Sequence, residues 1–338
     1  MREAMLYEKL DGNRVRCGLC NHRCLISDGQ RGICRVRENR GGALYSLVYA
    51  KAIAAHVDPI EKKPIFHLVP GSTSMSIATV GCNFRCPFCQ NWQISQIQDP
   101  KGRIRGHDFP PEDVVATAKH YRCKSISYTY TEPTVFFEYA YDTAKLAHEE
   151  GLYNIFVTNG FMTVEALETI KGYLDAANVD LKSFRDESYR KLGGKLEEVL
   201  ESLKTMKRLG IWVEVTTLLV PEFNDSEEEI RDIARFISGE LGPETPWHIS
   251  RFHPDYKMLD SHPTPISTIQ MAREIGLEEG LRYVYSGNVP GDPGENTYCH
   301  NCGALLVERF GFRVVQNRVR HSKCPDCGAP VSGVRMSG

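Results

Sequence analysis

The chain has 338 residues, 41 Lys plus Arg against 43 Asp plus Glu for a formal charge of −2, and a composition 41% hydrophobic and 9% aromatic. That balance excludes a disordered tail, a collagen-like repeat and a small disulfide scaffold, and the length admits one large α/β domain or about two ordinary ones. No apolar run approaches the ~20 residues of a membrane span, and the charged start Met1-Arg2-Glu3-Ala4-Met5 lacks the apolar stretch of a secretory signal, so a reducing cytoplasmic setting is expected.

In chain order, the first predicted feature is a cysteine quartet, Cys17, Cys20, Cys24 and Cys34. Four thiolates satisfy either zinc or an auxiliary iron–sulfur cluster, and the spacing does not choose between them. His22 is a possible substitute ligand, more ordinarily a surface residue. The segment from His56 to His67, which contains Lys62, Lys63 and Pro64, reads as a Pro-rich loop over the mouth of the domain. From about residue 74 to 290, short β-rich runs alternate with helical spacing. Strands are predicted at 74–81, 125–131, 154–158, 177–182, 212–220 and 248–253. Helices are predicted at 111–121, 135–149, 164–173, 197–209, 227–237 and 267–277. Pro110-Pro111, and Asp225 or Ser226 ahead of Glu228 and Glu229, are helix-start signals. Six strand–helix units imply parallel strands with right-handed crossovers, and six falls short of a closed eight-unit barrel. The fold class is therefore α/β, a partial (β/α)6 TIM-like barrel in competition with a doubly wound sheet. Either architecture puts chemistry on loops at the carboxyl ends of the strands. Cys82 to Cys89, Glu132, Asn159, Lys182 and His253 all fall at such ends.

Two C-x2-C-G knuckles close the chain, Cys299 with Cys302 and Cys324 with Cys327. They predict a zinc-ribbon or rubredoxin-like module, with zinc favoured and a single iron as the alternative. The expected organisation is a four-cysteine extension over 1–50, the barrel over 51–290 and the ribbon over 291–338. Both ends carry a surplus of about four positive charges, which leaves the middle acidic. A solvated face is the ordinary reading of such charge, and a nucleic-acid partner stays open as the less favoured one. Cys123, ahead of an apolar run, reads as a buried thiol. No heptad seam is present, so a monomer is the default.

Between the ends lies Gly81-Cys82-Asn83-Phe84-Arg85-Cys86-Pro87-Phe88-Cys89. Three thiols at C-x3-C-x2-C have no nearby fourth, whereas a closed zinc site wants four protein ligands. Three thiolates suit a cubane with one iron left open, and an amino acid's carboxylate and amine could bind that iron.

This stretch resembles the signature of radical S-adenosylmethionine (SAM) enzymes, and the likeness extends over roughly residues 50–290. It looks similar to the branch of pyruvate formate-lyase-activating enzyme. Within that branch, the early cysteine quartet, the segment from His56 to Pro64, Gln90-Asn91-Trp92 and the run from Tyr128 to Thr134 resemble the AmmeMemoRadiSam-system enzymes. The resemblance implies that Cys82, Cys86 and Cys89 ligate a [4Fe–4S] cluster and that Phe88 lies against the adenine of SAM. It also implies that Glu132 accepts from the SAM ammonium, with Thr131 beside it. Tyr130-Thr131 stands where the family has two glycines. Val157-Thr158-Asn159-Gly160 resembles an Asp-Thr-Asn-Gly turn with valine for aspartate, so a cation site using that aspartate is not expected. In Asp180-Leu181-Lys182 the lysine would face the SAM carboxylate, and His253 would approach the ribose.

The implied chemistry is reductive cleavage of SAM to a 5′-deoxyadenosyl radical that takes hydrogen from a substrate. The implied partners are an electron donor such as flavodoxin or ferredoxin, a glycyl-radical protein or small-molecule substrate, and companions of Memo and AMMECR type. RNA as the radical's substrate, and a non-catalytic nucleic-acid-binding adaptor, are the alternatives.

Overall fold

A computed structural model describes residues 1–97 and 102–337. The main sheet comprises β1 (Ala54–Pro59), β2 (Thr73–Ala78), β3 (Ser125–Tyr128), β4 (Tyr153–Thr158), β5 (Ala176–Asp180), β6 (Trp212–Leu219), β7 (Trp247–Arg251) and β8 (Val284–Gly287). These strands lie side by side in chain order. Strands β2 to β8 are parallel, and β1 adds an antiparallel edge to β2. Parallel neighbours need a crossover. It is supplied in turn by α1 (Pro111–His120), α2 (Phe137–Glu149), α3 (Val164–Ile170), α4 (Asp186–Leu192), α5 (Leu196–Arg208), α6 (Glu227–Phe236) and α7 (Ile266–Glu278).

Local chemistry explains the helix starts. Pro111 occupies the first position of α1, where its missing N–H costs nothing. Ser226 caps α6 by accepting from the Glu229 N–H at 3.3 Å, and Thr163 caps α3 through the Ala166 N–H at 3.2 Å. Every residue of β3 is buried, as a strand covered on both faces requires.

Among the described residues the parallel strands number seven where six were expected. The seventh, β8, is only Val284-Tyr285-Ser286-Gly287, too short and too polar to carry a strand pattern. The 56–67 segment begins as strand β1, not as a loop. Its exposed His56 and Val57 and buried Asp58 invert the usual alternation, which hid it.

Small sheets flank this core. At the N-terminus, Arg2–Glu3, Arg37–Arg40 and Ala43–Ser46 form one, and Tyr7–Leu10, Arg14–Cys17 and Leu25–Ile26 form another. They are tied to α2 by a buried two-pronged pair: Arg37 Nη1 and Nη2 donate to Glu138 at 2.8 and 2.9 Å. At the C-terminus, Thr297–Tyr298, Leu305–Phe310 and Arg313–Asn317 form a third sheet. It docks on the chain after β1: Val334 N–H donates to His67 O at 2.7 Å, and the Arg309 guanidinium lies 4.1 Å from the Phe66 ring centroid. No helix among the described residues is long and apolar enough to cross a membrane.

Candidate functional site

The carboxyl ends of β2, β3, β4 and β5 converge on one cavity of about 410 Å³. Its lining includes Cys82, Cys86, Phe88 and Cys89 after β2, Thr131 and Glu132 after β3, Asn159 after β4, and Asp180 and Lys182 at the end of β5. His253, beyond β7, is exposed and does not line it.

The cysteine loop is fixed by close packing. Gly81 has φ +101°, and a Cβ there would fall 2.6 Å from Val36 Cγ1, so only glycine lets the loop pass the N-terminal extension. Phe84 sits on Gly194 and packs edge-to-face on Tyr189. Burial pushes the Cys86 thiol up to about 11 and Cys82 higher still, the latter helped by neighbouring Glu132. Thiols so placed give up their protons to a metal cation and not to water. Buried Asn83 Nδ2, beside Cys82, and Thr216 Oγ1, on the cavity wall, lack partners among the described residues. Orphaned donors of this kind, next to three thiols without a fourth, fit a ligated cluster with a bound polar ligand.

Glu132 is 1% exposed and organises the wall. Its Oε1 accepts from Thr134 N (3.0 Å), Thr134 Oγ1 (2.6 Å) and Thr158 Oγ1 (2.7 Å), and its Oε2 accepts from Asn159 N (2.8 Å). Burial raises its pKa against the pull of these donors. Oε2, with a single donor, keeps capacity for one more. Asn159 Nδ2 donates to Asn83 Oδ1 at 2.7 Å, which joins the β4 turn to the cysteine loop. Thr131 Oγ1 donates to Thr79 O at 2.9 Å. Lys182 Nζ lies 2.9 Å from Asp180 Oδ2; burial opposes its charge, but Asp180 and Cys86 outweigh that and hold it protonated.

One group on the wall escaped the sequence. Lys63, 1% exposed, sets Nζ 2.7 Å from Asp58 Oδ2 and 4.4 Å from the Tyr130 ring centroid, and the Tyr130 hydroxyl donates to the same carboxylate oxygen. Burial brings Lys63 down to about 8, and Lys63, Tyr130 and Lys62 hold Asp58 low despite its own burial. Tyr130 has φ +63°, a left-handed backbone that ordinarily asks for glycine. Its hydroxyl anchor offsets part of that strain. The available signal was a tyrosine in a glycine position, with Asp58 and Lys63 five residues apart.

The flanking cysteines gather in two ways. Cys299, Cys302, Cys324 and Cys327 bring their sulfurs within 4.8 Å of one another, with pairs at 3.6 and 3.8 Å, a group able to hold a metal ion. Cys17, Cys20, Cys24 and Cys34 instead line a small space of their own, together with His22 and Arg37. His22 Nε2 is engaged with Asn83 O at 2.8 Å. Cys123 is buried, as expected of a plain apolar thiol.

Fold and site agree with the family comparison: the family model "Radical SAM superfamily" matches residues 76–237, so the chain carries a radical SAM superfamily domain. It shares 50% identity over 333 residues, 98% of this chain and 99% of the other, with uncharacterized protein MJ0808 of Methanocaldococcus jannaschii. It is 25% identical to the pyruvate formate-lyase-activating enzyme of Clostridium pasteurianum, over 53% of this chain and 80% of that one. A crystal structure of a radical SAM methyltransferase from Sphaerobacter thermophilus has the same fold, with TM-score 0.52, 16% identity, and coverage of 68% of this chain and 71% of that one. The superfamily implies a [4Fe–4S] cluster and SAM, and membership supports an enzyme.

Proposed function

We propose that this chain is a radical SAM enzyme whose Cys82, Cys86 and Cys89 hold the [4Fe–4S] cluster. The observation that carries this reading is the meeting of three fourth-less thiols with Glu132, Asn159, Asp180 and Lys182 on one cavity wall. When bound there, cluster and SAM supply a one-electron cleavage whose 5′-deoxyadenosyl radical takes a hydrogen atom from substrate. The protein's residues bind and orient. Glu132 Oε2 accepts from the ligand's ammonium, and Lys182 meets its carboxylate through a charge-assisted contact. Phe88 walls the adenine, and Thr131 and Asn159 fix the flanking turns. The remaining wall, with Lys62, Lys63 and Tyr130, faces the substrate.

Residues 1–50, 51–290 and 291–338 act as extension, catalytic barrel and metal ribbon, the last holding zinc or a single iron. Likeness to an activating enzyme supports a glycine-bearing protein as the hydrogen donor. The electron donor is of flavodoxin or ferredoxin type. The AmmeMemoRadiSam resemblance in the cysteine quartet and the 56–64 segment supports Memo and AMMECR companions. The test is anaerobic: reconstituted, reduced protein with SAM releases 5′-deoxyadenosine, and Cys86→Ala does not. Equal release by both proteins overturns the assignment.

A further inference from the structure

We propose that Cys17, Cys20, Cys24 and Cys34 hold a second cubane iron–sulfur cluster, not a zinc ion, in a site that shares a wall with the first. The inference rests on the reading of Cys82, Cys86 and Cys89 for a comparison of geometry and for an argument from position.

The chain gathers cysteines in two distinct ways. A single ion bound by four sulfurs at ~2.3 Å draws them to about 3.8 Å from one another. The C-terminal quartet already has that geometry, with sulfur pairs at 3.6 and 3.8 Å. Among the described residues, no other group of three or more Cys, His, Asp or Glu converges in this manner. The N-terminal quartet stands instead around a small space of about 20 Å³, walled by Leu19 and Ile26. Like the Cys82 trio, which lines a cavity of about 410 Å³, it does not converge on a point. A cubane has its thiolates at separate corners, one iron behind each, so it demands four sulfurs set apart about a central space.

A second, independent observation marks the same space. Arg37 lines it and is 2% exposed. Nη1 and Nη2 are occupied by Glu138 and by the carbonyl of Met5. Its Nε has no hydrogen-bond partner among the described residues. A buried donor left without an acceptor is costly, and such a donor beside four thiols asks for an anionic sulfur acceptor. A cluster supplies several, in its sulfides and in the thiolates it ionises.

Position argues for a redox-active occupant. Thr134 lines this space and gives both its N–H and its hydroxyl to Glu132 of the main cavity. His22 lines it too, and reaches the carbonyl of Asn83, the residue after Cys82. The Cys34 carbonyl oxygen lies 3.0 Å from where a Cβ on Gly81 would stand. One layer of residues separates the two sites, so electrons arriving at the second are delivered beside the first. Zinc, redox-inert, would gain nothing from that placement.

The full chain is reconstituted anaerobically with iron and sulfide, and acid-labile sulfide is counted, since neither zinc nor a single rubredoxin-type iron contributes any. Wild type should carry about eight sulfides per chain, and the Cys82→Ala/Cys86→Ala/Cys89→Ala variant about four, as two cubanes require. Adding Cys17→Ala and Cys34→Ala to that variant should remove the rest. A readout without variants uses reduced wild type: SAM should alter one EPR species and leave a second unchanged. Wild type with about four sulfides, all lost in the triple variant, together with zinc at the N-terminal set, overturns the inference while sparing the first site. Sulfide retained in the triple variant but absent from Cys17→Ala/Cys34→Ala supports the second cluster and defeats the reading of the first.

Discussion

Glu132→Gln probes the wall and the ligand contact together. The carboxylate takes four donors from its own chain, three on Oε1 and one on Oε2. A glutamine has one oxygen to offer. Its best placement keeps the oxygen on the Thr134 and Thr158 donors and turns the amide NH2 against the Asn159 N–H, which stood 2.8 Å from an acceptor. Glu132 is 1% exposed, so water does not rescue that N–H. An unsatisfied buried donor costs about 1–3 kcal/mol of stability. The same change removes the acceptor proposed for the SAM ammonium. A charge-assisted bond of about 1.5–3 kcal/mol corresponds to a Kd about 10- to 150-fold weaker. Both effects are read on anaerobically reconstituted protein, by urea midpoint and by SAM titration. A midpoint and a SAM affinity both unchanged would refute the role of this carboxylate.

Other expectations follow from the same structure. Arg37 and Glu138 are each 2% exposed, so Glu138→Gln strands a buried guanidinium and should destabilise the chain by about 3–5 kcal/mol, with Arg37→Met/Glu138→Leu losing much less in a urea double-mutant cycle. Lys63 has its pKa drawn down by burial from 10.5 to about 8, so over that window the unfolded chain holds more protons than the folded one. Stability from this group therefore rises as pH climbs from 8 to 10.5 and is lost as pH falls back through that window; Lys63→Met should flatten that slope in urea midpoints. Cys299→Ser should release the C-terminal metal ion, measurable by elemental analysis, and lower the unfolding temperature of the sheet that buries Arg309 against Phe66.

Much of the fold was legible because parallel strands buried on both faces leave apolar runs, and because Pro111 and Ser226 punctuate the helices between them. β8 was not, since four residues with a serine and a terminal glycine carry no period. β1 was not, because an edge strand with His56 and Val57 exposed and Asp58 buried obeys its side-chain contacts and not the usual pattern. In the site, the three cysteines and the polar residues closing β3, β4 and β5 could be read from spacing and resemblance. The Asp58–Lys63–Tyr130 group could not, since only folding brings Tyr130 to residues about 70 positions earlier. The two geometries of the flanking quartets were equally hidden, because C-x2-C spacing says which sulfurs are near and not how wide they stand.

The central claim is that Cys82, Cys86 and Cys89 leave one iron of a cubane for SAM. It is tested most directly by Mössbauer spectroscopy of 57Fe-loaded protein carrying Cys17→Ala and Cys34→Ala, with and without SAM. The account predicts that SAM changes the signal of one iron in four and leaves the others alone. Four irons indifferent to SAM, or zinc held by the three thiols with a fourth side chain, would contradict it.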